Sequence, residues 1–185
     1  MGTEQPRYRV LETFDGAELR EYEPQLVAEA EVAGSLETAG NAGFRVLAGY
    51  IFGRNRGRRR IPMTAPVTQT AGERLAMTAP VTQTGEGARW VLRFGMPSGY
   101  SLETLPEPLE PSVRFRVVPA RRVAALRYSG TWSERRYHEH VALLREAMVA
   151  RGLRATGEPE WARYNPPMLP WFLRRNEILI EVASG

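Results

Sequence analysis

The side chains that could do chemistry are few in kind. Of the 185 residues, 25 are arginine, none is lysine or cysteine, two are histidine and one, Asp15, is aspartate. Without cysteine there is no thiol nucleophile, zinc ribbon, iron–sulfur cluster, disulfide or covalent haem attachment. Without lysine there is no phosphate-loop amine and no Schiff base. His138 and His140 stand two apart, which on a helix turns their side chains about 200° from each other, so they cannot hold one metal together. His140 borders an apolar stripe and is the weak candidate for a single metal or haem ligand; the plainer reading is a structural histidine. A Ser-His-Asp relay would have to recruit Asp15, and Ser98 in MPSGYS lacks the glycine two positions earlier that a nucleophile elbow needs. Glu21, Glu29 and Glu31 fall at strand spacing and read as charges on a pleated face rather than an acid–base pair. Most hydrolase and transferase readings are thereby weakened.

Charge is concentrated in one place. The formal net charge is +4, yet Arg54, Arg56, Arg58, Arg59 and Arg60 lie within seven residues, and the remaining 20 arginines face 21 acids. The cluster, GRNRGRRR, is glycine-rich and holds no aromatic residue, unlike a nucleic-acid groove with basic residues spread over a face among stacking rings. It reads as a solvated connection, a local anion site or, least of all, a nucleic-acid contact. Aromatic and apolar side chains beside arginine recur at Tyr50, Phe52 and Arg54, and again at Met168, Trp171, Phe172, Arg174 and Arg175. A flat apolar anion suits such surroundings, because ring burial supplies affinity and arginine pairs bidentately with carboxylates.

These residues need elements to position them. YRVLETF, AELREY and QLVAEAEV read as three strands, the first two joined by the hairpin signal Asp15-Gly16. Phe44, Leu47, Ala48 and Ile51 then follow at i, i+3, i+4 and i+7, one apolar stripe on a helix over about Thr38 to Phe52, ended by Gly53. Gly40, Gly43 and Gly49 each cost that helix about 0.8–1 kcal/mol against alanine, which calls for close packing on a sheet or a ligand laid against the backbone. The octapeptide MTAPVTQT occurs at Met63–Thr70 and again at Met77–Thr84, and reads as two edge-like strands of a hairpin, with Pro66 and Pro80 denying further pairing and Met63 or Met77 a possible ligand contact. Strands WVLRFGMP, VRFRVV and RRVAALRYSG come next. A second helix opens on a Thr131/Glu134 capping-box spacing, carries Tyr137, Val141, Leu144 and Met148, and stops at Gly152. EWARYN, the turn NPPMLPWF and NEILIEV close the chain. Strands, helix, strands, repeated, predict an α+β domain of two similar halves sharing one largely antiparallel sheet. No apolar run is long enough for a secretion signal or a membrane span, and the expected location is cytoplasmic.

The runs YIFGRN, RIPMTAPVTQT, LAMTAPVTQT, MPSGYSLETLPEPLEP and ARYNPPMLPWFLRRNEILIEV together resemble the bacterial branch of the SOUL family of haem-binding proteins, over about Tyr8 to Val182. The resemblance implies a distorted antiparallel β-barrel from two pseudo-symmetric β-α-β-β halves with two flanking helices, one domain over 1–185 with halves of about 8–97 and 98–183. It implies non-covalent, non-catalytic binding of haem b or another porphyrin in a shallow groove along the first helix. The groove residues here would be Phe44, Leu47, Ala48 and Ile51, with Met168, Leu169, Trp171 and Phe172 nearby. Gly49 and Leu169 occupy positions where some relatives carry the cations that meet the propionates, so Arg45, Arg54 or the arginines at 56–60 are the candidates to replace them. Glu21 stands where one relative has a candidate axial histidine. The fold so implied also resembles gyrase-inhibitor-like and effector-binding domains, whose central cleft makes a small-molecule or drug-sequestering module the alternative.

Overall fold

A computed structural model describes residues 3–71, 89–165 and 168–184. The chain opens with β1 (Tyr8–Phe14) and β2 (Ala17–Tyr22), an antiparallel hairpin. Asp15 and Gly16 have φ of 43° and 76°, the pair of positive values that a two-residue turn matched to strand twist requires. β3 (Gln25–Ala33) leads to α1 (Leu36–Ile51), then come β4 (Val67–Ala71), β5 (Arg89–Gly95), β6 (Val113–Val118), β7 (Arg121–Ser129), α2 (Glu134–Arg151), β8 (Glu160–Arg163), a single 3-10 turn (Trp171–Leu173) and β9 (Arg175–Glu181).

The strands form one antiparallel sheet in the order β1-β2-β7-β9-β8-β4-β5-β3-β6. β2 and β3 are joined only by Glu23 and Pro24, yet five strands lie between them in that order. Laid flat, they would stand about 29 Å apart at about 4.8 Å per strand, while a two-residue link spans about 10 Å. Pro119 and Ala120 impose the same closure on β6 and β7. The sheet therefore rolls into a curled half-barrel, and β2 and β6 each pair with a strand of the other half. Both helices pack on its outer face: α1 over β3 and β5, α2 over β7 and β9.

The octapeptide is placed differently from its prediction. Its first copy supplies β4, which is flanked by β8 and β5 and is an interior strand, not an edge. Pro66 precedes the first paired residue, Val67, so it denies no pairing. The second copy, with Met77 and Pro80, lies outside the described residues. The cap of α2 is likewise Ser133, whose side chain accepts from Arg136 N, and not Thr131. The predicted stripe Tyr137, Val141, Leu144 and Met148 is buried, and Gly152 closes the helix with φ of 74°.

Candidate functional site

The inner face of the rolled sheet is charged but closed. Side chains alternate across a strand, so Arg20, Arg93, Arg121, Glu160 and Glu177 all point inward. Arg20 and Glu177, 3% and 0% exposed, form a bidentate pair at 2.7 and 3.0 Å. Glu177 also accepts from Arg175 at 2.8 Å and from the Tyr164 hydroxyl at 2.9 Å. Burial opposes ionisation of Glu177, but the hydrogen bonds and charges of Arg20 and Arg175 outweigh it and hold its carboxyl below the usual carboxylate range. Glu160 is held down in the same way by Arg121, its bidentate partner at 2.6 and 3.1 Å. The cleft left between Tyr22, Arg93, Arg121, Tyr164 and Leu179 holds only about 20 Å³, and Pro6 of the N-terminal segment borders it.

The outer face presents the residues expected to bind. In α1, Leu47 and Ile51 are 0% and 1% exposed within the core over β3 and β5, and Ala48 is buried as well. The expectation that these three line an open groove is therefore corrected: they share the buried, sheet-facing arc of the helix with Leu36, Ala39, Gly40, Gly43 and Tyr50. Glycine lets that arc come close, since a Cβ at Gly43 would lie 2.7 Å from Leu92 Cδ1, so the helix sits closer to the sheet than alanine permits. Phe44 stays at the margin, 38% exposed, its ring 5.5 Å from that of Phe94. Arg45 is on the solvent side, and the stem of Arg54 folds back over Gly49.

The arginine loop is ordered by Asn55. This residue is 1% exposed, donates to the carbonyls of Tyr50 and Arg59 at 2.9 and 2.8 Å, and accepts from Arg59 N at 2.9 Å. Arg54, Arg56, Arg58, Arg59 and Arg60 all remain exposed beyond the C-terminal end of α1.

Met168, Trp171, Phe172 and Leu173 are 85%, 58%, 58% and 59% exposed, four large apolar side chains on one short segment. The segment is tied down by Arg174, whose Nε donates to the Leu169 carbonyl at 2.8 Å and whose guanidinium lies 4.7 Å from the centre of the Trp132 ring. Trp132 is also faced by Arg163, at 5.5 Å, and Arg163 reaches the backbone of α1, because a Cβ at Gly40 would stand 3.3 and 3.4 Å from its two terminal nitrogens. The structure thus connects the Pro-rich segment to the N-terminal half of α1 through Arg174, Trp132 and Arg163. Sequence reasoning passed over Trp132 and Arg163; the usable signal was Arg163 two residues after Trp161, hence on the same face of β8, the face that meets the helices.

His140 is accounted for by packing. Its ring stacks on Tyr128 at 3.7 Å and 14°, and its Nδ1 donates to the Arg136 carbonyl at 2.6 Å. Among the described residues no group of three or more His, Cys, Asp or Glu could hold a metal ion. No helix of the described residues is long and apolar enough to cross a membrane.

Solved structures of similar fold have little sequence in common with the chain. The C-terminal domain of EcmrR superposes with a TM-score of 0.68 at 12% identity, over 96% of this chain and 99% of that one. A hydrolase from Listeria innocua superposes at 0.59 and 11% identity, over 94% of each chain. SAV2435 bound to tetraphenylphosphonium superposes at 0.51 and 7% identity, over 91% of this chain and 94% of that one. At such identities the likeness is one of fold. None of the curated protein sequences matches. The family model described as SOUL heme-binding protein matches residues 3–181, nearly the whole rolled sheet with both helices, and the chain therefore belongs to the SOUL haem-binding family.

Proposed function

We propose that the protein binds a tetrapyrrole, haem b or another porphyrin, non-covalently and without turnover, on the outer surface formed by the Met168–Leu173 segment and the neighbouring end of α1. The observation that carries this reading is the exposed set Met168, Trp171, Phe172 and Leu173, fixed beside Arg174 and Trp132 rather than folded into the core. Large apolar groups held in water next to cations suit a ligand with an apolar plane and acidic edges. Phe44, partly exposed on α1, and Arg45 and Arg54, farther along the helix, would extend this surface, while Leu47, Ala48 and Ile51 serve from beneath by seating the helix. The halves of about 8–97 and 98–183 act as one domain, since each lends a strand to the other.

Family membership supports the ligand class. The alternative, a module for cationic drugs held in the central cleft, is disfavoured by that cleft's small size and by Arg93 and Arg121 on its walls. Titration of the protein with haemin, followed by absorbance, tests both readings. A saturable Soret shift with one equivalent, and an unchanged spectrum on standing, is expected. Thermal stabilisation by tetraphenylphosphonium with no response to haemin or protoporphyrin would replace this reading with the alternative.

A further inference from the structure

On the outer face of the sheet, strand register sets Tyr128 (β7), Asn176 (β9) and Arg163 (β8) side by side, with Trp161 two residues before Arg163 on the same face. α1 walls this row at Gly40, and α2 walls it with Tyr137, 5.6 Å from Trp161, and His140, stacked on Tyr128. Asn176 is satisfied, accepting from Trp132 Nε1 at 2.8 Å and donating to the Gly130 carbonyl at 3.2 Å. Its neighbours are not. Tyr128 and Trp161 are 8% and 1% exposed, and among the described residues neither the Tyr128 hydroxyl nor Trp161 Nε1 has a hydrogen-bond partner; Arg136 Nε, beside them, has none either.

Arg163 completes the set. Its guanidinium lies over two indoles, 5.0 Å from Trp161 and 5.5 Å from Trp132, and its one hydrogen bond among the described residues is to Gln69 Oε1 at 3.3 Å. No carboxylate of the described residues pairs with it, whereas all the acids at hand on the inner face are taken. Loss of solvent, with no acid opposite, pushes its pKa down to about 10. Gly40 makes the room, since a Cβ there would stand 2.9 Å from Gln69 Oε1. Buried donors ordinarily find acceptors, and a buried cation ordinarily finds an anion. Here, among the described residues, three buried polar atoms have no partner and the cation beside them has only the Gln69 amide oxygen.

We infer that Arg163, with Tyr128 and Trp161, forms the receiving site for a carboxylate in the valley between the two helices, and that the ligand's acid group completes it. The site lies beside the exposed Met168–Leu173 segment, so on the tetrapyrrole reading it takes a propionate. The arginines at 56–60 are too far to share this role: Gly40 and Gly53 are separated by 13 residues, about 20 Å along a helix axis.

The test compares haemin with its dimethyl ester on the wild-type protein, Arg163→Gln and the double variant Trp171→Ser/Phe172→Ser, and adds sodium benzoate in a thermal-shift arm. Haemin is expected to bind the wild type at least about tenfold more tightly than the ester, a charge-assisted hydrogen bond's worth. Arg163→Gln is expected to remove that preference, leave the ester's affinity unchanged, abolish stabilisation by benzoate, and leave the unliganded Tm unchanged or raised. Haemin binding to Arg163→Gln as tightly as to the wild type, while the double variant loses it, overturns the carboxylate site and leaves the tetrapyrrole reading standing. A fall in unliganded Tm of several degrees in Arg163→Gln overturns it too, because the arginine is then structural. Should haemin and ester both fail on the wild type, the tetrapyrrole reading falls, and benzoate decides the site alone: a shift that Arg163→Gln loses supports it, and no shift overturns it.

Discussion

The two faces of the rolled sheet treat arginine in opposite ways. On the inner face Arg20 and Arg121 are each met by a carboxylate in bidentate geometry, and Glu177 is further held by Arg175 and Tyr164. On the outer face Arg163 sits between indoles with, among the described residues, a single long hydrogen bond and no acid. Both arrangements withdraw charge from water, and only the first supplies what burial takes away. A closed network of this kind holds halves together; an open set of donors is arranged for something not part of the chain.

The largest expected effect breaks the inner face. Glu177→Gln removes the fully buried carboxylate that Arg20, Arg175 and Tyr164 share, leaves Arg20 only its partly exposed partner Glu18, and is expected to lower stability by about 3 kcal/mol in urea unfolding. Replacing both partners, Arg20→Met with Glu177→Leu, is expected to recover only part of that loss, because Arg175 and the Tyr164 hydroxyl then lack their acceptor, and full recovery would show that those two bonds add nothing.

The same network sets the acid response. Because the folded-state pKa values of Glu177 and Glu160 lie below the ordinary 4.5, their contribution is complete above that value and is lost as pH falls through the lower, folded one. The Tm is expected to change little between pH 7 and about pH 5 and to fall steeply below about pH 4. In Glu177→Gln the acid limb is expected to be shallower; an identical limb would place acid sensitivity elsewhere.

A smaller effect is expected where α1 meets the outer face. Gly43→Ala pushes a methyl against Leu92, which is wholly buried, at a cost of about 1–3 kcal/mol, offset in part by the roughly 1 kcal/mol gain in helix propensity. A net gain in stability would mean that the helix can move off the sheet without loss. Smallest of all, Arg163→Met is expected to leave stability unchanged or slightly raised, opposite in sign to Glu177→Gln, and differential scanning calorimetry of the two variants at pH 7 is the direct comparison. Trp171→Ser with Phe172→Ser is expected to fall within about 0.5 kcal/mol of the wild type, since both rings already lie in water; a larger loss would make the segment part of the core and not a binding surface.

Legibility followed the range of the interaction. The Asp15-Gly16 hairpin, the stripe of α2 and the closing Gly152 depend on residues within a turn or two of one another, and they are where the pattern puts them. The stripe of α1 was read correctly as helical, but periodicity does not say whether an apolar face meets a sheet or a ligand; Gly40 and Gly43 mark the closest approach to the sheet and carry Leu47, Ala48 and Ile51 into the core with them. β4 was misplaced as an edge because a proline beside a strand says nothing about which strands will flank it. Phe44, Trp171 and Phe172 were recognisable by type, whereas Arg163 and Trp132 were not, their importance being a matter of neighbours contributed by four different segments.

By itself the sequence determined the elements and the family: local periodicity, turn chemistry and several long motifs suffice for strands, two helices and a SOUL-type chain. It also determined that any tetrapyrrole must be held without cysteine and without lysine, by shape and arginine. Only the tertiary structure decided which arginines are already spoken for. Among 25 of one residue type, composition cannot separate them, since pairing depends on strands brought together from distant parts of the chain, and burial is what turns an unmatched guanidinium from a solvated charge into a site.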